Sequence, residues 1–227
     1  MLQELAGLAR TNNQLYLDTL SAYESLTVGQ ILQPTNKLLI YEGEHLEPLG
    51  FSSSLLDKQS TRNILTNMKL PNNAVNISYE AQGLKKNHGD IMENARKDVL
   101  SVPTLAAQSR ASISAGYKKW FDHFPEIIQS WFVGMFKVKR SFPVNQLPHV
   151  SAFLGYAVTR VYESNVLNIK DRDNDFFDRS YFSDAAVVDI LVTNDRAFTR
   201  TSLRVPNRPF EVLNTDELSL LIDNLNA

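Results

Sequence analysis

Two rhythms of apolar and polar positions run along the chain, and the changes between them set the expected elements. After Pro148, Phe153, Leu154, Ala157, Val158, Val161 and Tyr162 recur at i, i+1, i+4, i+5, i+8 and i+9. That spacing predicts an amphipathic helix with Ser151 as its cap. A polar turn over 170–178 follows, then a helix-compatible segment over 179–188. The β-rich run Ile190-Leu191-Val192-Thr193 comes next and ends at Asn194-Asp195. The alternation then repeats, with Phe210-Glu211-Val212-Leu213 reading as a strand after Pro209. Asn214 as N-cap, with Glu217 three residues on, predicts a helix over 215–225. Helices alternating with short apolar strands across 150–227 imply a parallel sheet and an α/β fold.

The earlier part is less periodic. Leu15-Tyr16-Leu17 suits a strand or part of a helix, and Lys37-Leu38-Leu39-Ile40-Tyr41 reads as a strand after Pro34-Thr35-Asn36. Residues 51–76 are rich in Ser, Asn and Thr, which predicts loops around one helix over 58–68, with Pro71-Asn72-Asn73 as a turn. Between 90 and 136 the spacing is helical, broken at Pro103, Pro125 and Pro143, and three helices are expected. The stretch 117–140 holds both tryptophans and interleaves aromatics with five basic residues. It fits a helical core face whose Lys and Arg stems snorkel to water, and equally a surface that grips single-stranded nucleic acid.

At 227 residues the chain can bury a real core, and the expectation is one body with a large insertion. A net charge of −2 builds in no global attraction to nucleic acid or anionic membrane. The absence of cysteine excludes disulfides, Cys-ligated zinc, iron–sulfur clusters and thiol nucleophiles, and suits a reducing compartment. Met1 to Arg10 lacks the basic and continuous apolar regions of a secretory signal, and no apolar stretch approaches the roughly 20 residues of a bilayer span. A soluble, cytoplasmic protein without a membrane partner is therefore expected. The four histidines lack zinc-site spacing, and neither a nucleophile elbow nor a phosphate-cradling Gly-rich loop is present.

Seven aspartates fall between 171 and 195: Asp171, Asp173, Asp175, Asp178, Asp184, Asp189 and Asp195. Crowded carboxylates repel one another unless a cation, arginines or solvent compensates them. A solvated loop with helix caps would account for them. A strand ending at Asn194-Asp195 would instead place Asp195 at the carboxyl edge of a parallel sheet, where α/β proteins hold ligands. About ten helical residues and about five strand residues each span roughly 15 Å, so Asp178 returns to the same edge. Mg²⁺ or Mn²⁺ would fit there and could activate a water against a phosphodiester.

Asn174-Asp175-Phe176-Phe177-Asp178, followed by Asp189-Ile190-Leu191-Val192-Thr193-Asn194-Asp195-Arg196-Ala197-Phe198, resembles the C-terminal half of a PIN-like nuclease domain. Glu211 to Leu218 resembles the closing strand and helix of such domains, so the likeness spans residues 150–225. It implies a three-layer α/β sandwich with a parallel sheet, and a metal-dependent endoribonuclease acting on single-stranded or structured RNA. Asp178 and Asp195 match the family's acidic positions, with Asp175 as a further ligand. For the family's first half the candidates are Asp18, in Leu15-Tyr16-Leu17-Asp18-Thr19, or Glu24, in the segment 19–29. Either choice leaves 45–148 as a mainly helical insertion.

Arg172, Arg179, Arg196, Arg200, Arg204 and Arg208 surround the aspartates and suit either substrate phosphates or ordinary ion pairs. Arg179 and Arg196, with Thr193 and Asn194, are the candidate RNA contacts. A catalytically inactive PIN-like module, serving a protein partner or held by an inhibitor, is the alternative. A receiver-like reading of Asp195 lacks the lysine it needs near Phe210 to Leu213.

Overall fold

The computed structural model describes residues 8–27, 30–70, 72–77, 79, 82–83, 86, 110–138, 142–170, 172 and 174–226. Its main elements are α1 (Asn13–Thr27), α2 (Thr35–His45), α3 (Lys58–Met68), α4 (Arg110–Phe121), α5 (Phe124–Phe136), α6 (Pro148–Asn165), α7 (Asp175–Asp184), β1 (Ile190–Val192), α8 (Arg196–Arg204), β2 (Glu211–Leu213) and α9 (Thr215–Asn226). The chain divides into two compact units, one of Met1–Gln33 with Ser54–Val99 and one of Pro34–Ser53 with Leu100–Ala227.

In the first unit α1 and α3 bury Tyr16, Leu20, Leu65 and Met68 together with Ile31 and Ala74. The Tyr16 hydroxyl donates to the Met68 carbonyl at 2.6 Å, which satisfies both groups inside the core. Asp57 starts α3 by accepting the Ser60 N–H at 2.9 Å. Leu15, Tyr16 and Leu17 lie within α1, so the helical alternative holds there. Residues 72–77 are helical where a turn was expected at Asn72-Asn73.

The second unit is built around α6, which buries Val150, Ala152, Leu154, Tyr156 and Val158 and is contacted by α2, α4, α5, α7 and α8. Phe124, Ile128, Phe132, Phe182, Phe198 and Phe210 complete its core. The aromatics of 117–138 belong to this packing. Phe121 stacks on Tyr162 at 4.2 Å, and Trp120 lies 5.9 Å from Trp131 between ring centres, while Lys118 and Lys119 stay exposed. Residues 139–141 and all of 90–109, including Pro103, lie outside the described residues.

The expected three-layer sandwich is not what forms. The only sheet among the described residues is one parallel pair of three-residue strands, registered Ile190↔Glu211 to Val192↔Leu213. The other elements described in the unit are helices. Residues 37–41, expected as a strand, lie in α2, where Leu38 and Glu42 are buried one turn apart and Ile40 and Tyr41 face water. A five-residue apolar run carries no period of its own, and the buried i, i+4 pair decided for helix. Nor does Ser151 cap α6. The helix starts at Pro148, and Glu42 accepts the N–H groups of its first turn. Expected as a helix over 179–188, α7 begins at Asp175 and tightens into a 3₁₀ turn over Ala185–Val187. Asn214 accepts the N–H groups of Asp216 and Glu217, and Glu217 reaches back to the Asn214 N–H at 2.7 Å, forming the expected capping box. Among the described residues no helix is long and apolar enough to cross a membrane.

Candidate active site

Asp175 and Asp178 stand in the first turn of α7, where carboxylates are favoured by the exposed N–H groups of the helix start. Asp195 follows β1 and caps α8, its Oδ1 accepting the N–H groups of Ala197 and Phe198 at 2.8 Å each. The Thr193 hydroxyl accepts the Asp195 N–H at 3.1 Å, and the Thr193 N–H donates to Leu213 of β2 at 2.9 Å. The sheet pair thus carries Asp195 to the end of its strand.

One guanidinium joins the three aspartates. Arg172 Nη2 lies 2.6 Å from Asp178 Oδ2 and 3.3 Å from Asp175 Oδ1, and its Nη1 lies 3.6 Å from Asp195 Oδ1. The Arg172 N–H also donates to Asp175 Oδ2 at 2.7 Å. Burial works against the charge on Arg172, but Asp178 and Asp175 outweigh it and hold the guanidinium above its ordinary pKa. Asp175, Asp178 and Asp195 therefore share one guanidinium, that of Arg172.

A buried layer lies behind this cluster. Arg160 donates to Asp175 Oδ2 at 2.7 Å and pairs with Glu163 in the same helix. Glu163 is fully buried and is also held by Arg204 and by the Thr201 hydroxyl at 2.8 Å. Burial pushes its carboxyl up, yet the donors Thr201, Arg160 and Arg204 together hold it below the ordinary range. Tyr156, one helical turn before Arg160, is fully buried. Burial and then the charges of Asp178 and Asp175 raise its pKa. Among the buried oxygens here, the Tyr156 hydroxyl and Asp175 Oδ1 make no hydrogen bond among the described residues.

The other expected residues do different work. Arg179 stacks on the Phe153 ring at 4.2 Å and is half-buried. Arg196 and Arg200 are exposed on α8, and the Asn194 side chain ties β1 to the start of α9 through Thr215 at 3.1 and 3.2 Å. Asp184 accepts the Thr35 hydroxyl at 2.8 Å, and the Asp189 carbonyl accepts the Glu211 N–H. Asp18 and Glu24 belong to the first unit. There Gln14 donates to Asp18 at 2.8 Å, and Glu24 pairs with Lys69 at 2.7 Å. Asp171 and Asp173 lie outside the described residues.

Sequence reasoning missed Arg160, Glu163 and Tyr156. The signal was present: Tyr156, Thr159, Arg160 and Glu163 fall at i, i+3, i+4 and i+7, which puts two charges on the buried stripe of α6. Charges in that position require partners, and the aspartates and arginines downstream supply them.

With Arg172 between them, the carboxylates do not form a ready cage, and no group of three acidic or histidine side chains among the described residues is poised to hold a metal. The chemistry of the donor set still suits a hard cation. Three carboxylates face one guanidinium, and Asp175 Oδ1 is an acceptor without a hydrogen bond among the described residues. Comparison with models of known protein families, with curated proteins and with solved structures finds no match to this chain.

Proposed function

We propose that Asp175, Asp178 and Asp195 hold Mg²⁺ or Mn²⁺ and that the chain is a cation-dependent endoribonuclease. One observation carries the reading: carboxylates from the start of α7 and the end of β1 converge on a single cationic position. A divalent cation supplies a water of lowered pKa and neutralises charge on a phosphate. The chain's own part is to orient that cation through Asp178 and Asp175, with Asp195 fixed by its cap on α8. Arg196 and Arg200, exposed on the helix that Asp195 caps, are suited to hold the RNA backbone. No protein nucleophile is required.

Purified protein incubated with mixed-sequence single-stranded RNA, with and without Mn²⁺, tests the reading beside Asp178→Asn and Asp195→Asn. Cutting that needs Mn²⁺ and is lost in both folded variants is expected. A folded wild type that cuts nothing in Mn²⁺ overturns it.

A second reading has its own observation. Arg172 already balances the three aspartates, as a structural ion-pair network would, and this favours a non-catalytic interaction module. That module binds no Mn²⁺ at the cluster and leaves RNA intact.

A further inference from the structure

We propose that Arg172 is a built-in competitor for the cation position, a counter-ion that must leave the three aspartates before a divalent cation can enter. The proposal rests on the cation-binding reading above and adds a control to it.

Arg172 and Arg160 both touch Asp175, but they are held differently. The Arg160 side chain is only 8% exposed and is fixed by Glu163, the Lys170 carbonyl and Asp175. It has no route out. Arg172 lies outside α7, three residues before its start, and 29% of its side chain is exposed, so its head can turn to water. What it would leave is three carboxylates around the place of one guanidinium, with only Asp175 still paired to Arg160, and such groups repel unless another cation replaces Arg172.

Arg172 is also an incomplete partner. It satisfies Asp178 at 2.6 Å, but its 3.3 Å approach to Asp175 Oδ1 makes no hydrogen bond. The hydroxyl of the fully buried Tyr156 likewise makes no hydrogen bond among the described residues and lies within the field of Asp178 and Asp175. Buried polar atoms are normally paired, so these two oxygens, which make no hydrogen bond among the described residues, mark a place that an ion or its water completes. A guanidinium brings one charge and a planar fork. A divalent ion brings two charges and accepts oxygen ligands from several directions. Arg172 thereby sets a threshold, holding the cluster together in low cation and yielding as the cation concentration rises.

The test is Mn²⁺ affinity of the full chain, read from the free-ion paramagnetic resonance signal, for wild type, Arg172→Gln, Arg172→Lys and Asp178→Asn. The melting temperature of each is measured in chelator and in Mn²⁺. Arg172→Gln is expected to bind Mn²⁺ at least about 10-fold more tightly than wild type. It should melt lower in chelator and gain more from Mn²⁺, because the ion replaces a missing counter-charge. Arg172→Lys should fall between the two, and it carries the comparison if the glutamine variant folds only in Mn²⁺. Equal or weaker binding by the Arg172 variants, with binding lost in Asp178→Asn, overturns the competition and leaves the cation site standing. No Mn²⁺ binding by wild type or by either Arg172 variant overturns both.

Discussion

The carboxyl group of Glu42, on α2, accepts the backbone N–H of Val150 at 2.9 Å and so caps the first turn of α6 from 108 residues away. Its other oxygen accepts the Leu49 N–H at 3.1 Å. Glu42 is fully buried, and burial pushes its pKa up to about 7, even though the N–H donors of Val150, Leu49 and His149 favour the charged form. Below the unfolded value both states carry the proton and no penalty exists. As pH rises towards 7 the unfolded chain ionises first, and stability falls. The contribution is isolated as wild type minus Glu42→Gln in denaturant unfolding. Wild type should lose about 3 kcal/mol relative to the variant between pH 4.5 and pH 7, since one pKa unit corresponds to about 1.4 kcal/mol. A pH-independent difference would mean that Glu42 ionises at the same pKa in the folded and unfolded chain.

Gly43, the next residue, allows α2 to lie against α5. A Cβ added there would fall 2.1 Å from the Phe136 ring, which itself packs 5.3 Å from Phe132 between ring centres. Gly43→Ala gains about 1 kcal/mol of helix propensity but forces the ring to move, at a cost of about 1–3 kcal/mol. A net destabilisation of about 1 kcal/mol is expected. Because the clash is with one side chain, Phe136→Ala should turn the alanine at 43 from destabilising to stabilising in a double-mutant cycle.

These two contacts show where the sequence was readable and where it was not. The α9 capping box and the strand end at Leu213 follow from local chemistry, and Asn214 and Glu217 stand where local rules put them. The start of α6 does not. Its cap is Glu42, remote in sequence, so Ser151 looked the better candidate. The same limit applies to the sheet: residues 37–41 have strand composition, but the buried spacing of Leu38 and Glu42 is set by tertiary packing, and the sheet ends at two strands. At the site the acidic residues were legible because they are clustered in sequence. Arg160, which pairs with Asp175, and its own partner Glu163 sit inside an apolar stripe, where periodicity counts hydrophobic positions and passes over charges.

Glu163 gives the sharpest stability test of that hidden layer. It is fully buried and takes Arg160, Arg204 and Thr201 as donors. Glu163→Ala takes one of two counter-charges, the other being Asp175, from the buried Arg160 guanidinium, and truncations of buried pairs cost about 3–5 kcal/mol. Glu163→Gln keeps one acceptor and the shape, and should cost less. The pair is compared by urea unfolding at pH 7. Equal and small losses in both variants would mean that Arg160 finds a sufficient partner in Asp175 alone.

Asp195 separates the structural and chemical roles of the cluster. As a helix cap it needs only a side-chain oxygen that accepts from Ala197 and Phe198, and asparagine provides one. Asp195→Asn should therefore unfold within a few tenths of a kcal/mol of wild type, while Asp195→Ala loses about 1 kcal/mol. As a cation ligand it needs its charge, which both substitutions remove. If the cluster binds Mn²⁺, Asp195→Asn must weaken binding as strongly as Asp195→Ala while matching wild type in stability. Intact Mn²⁺ affinity in Asp195→Asn would confine Asp195 to capping, and would leave Asp175 and Asp178 as the ligands on α7.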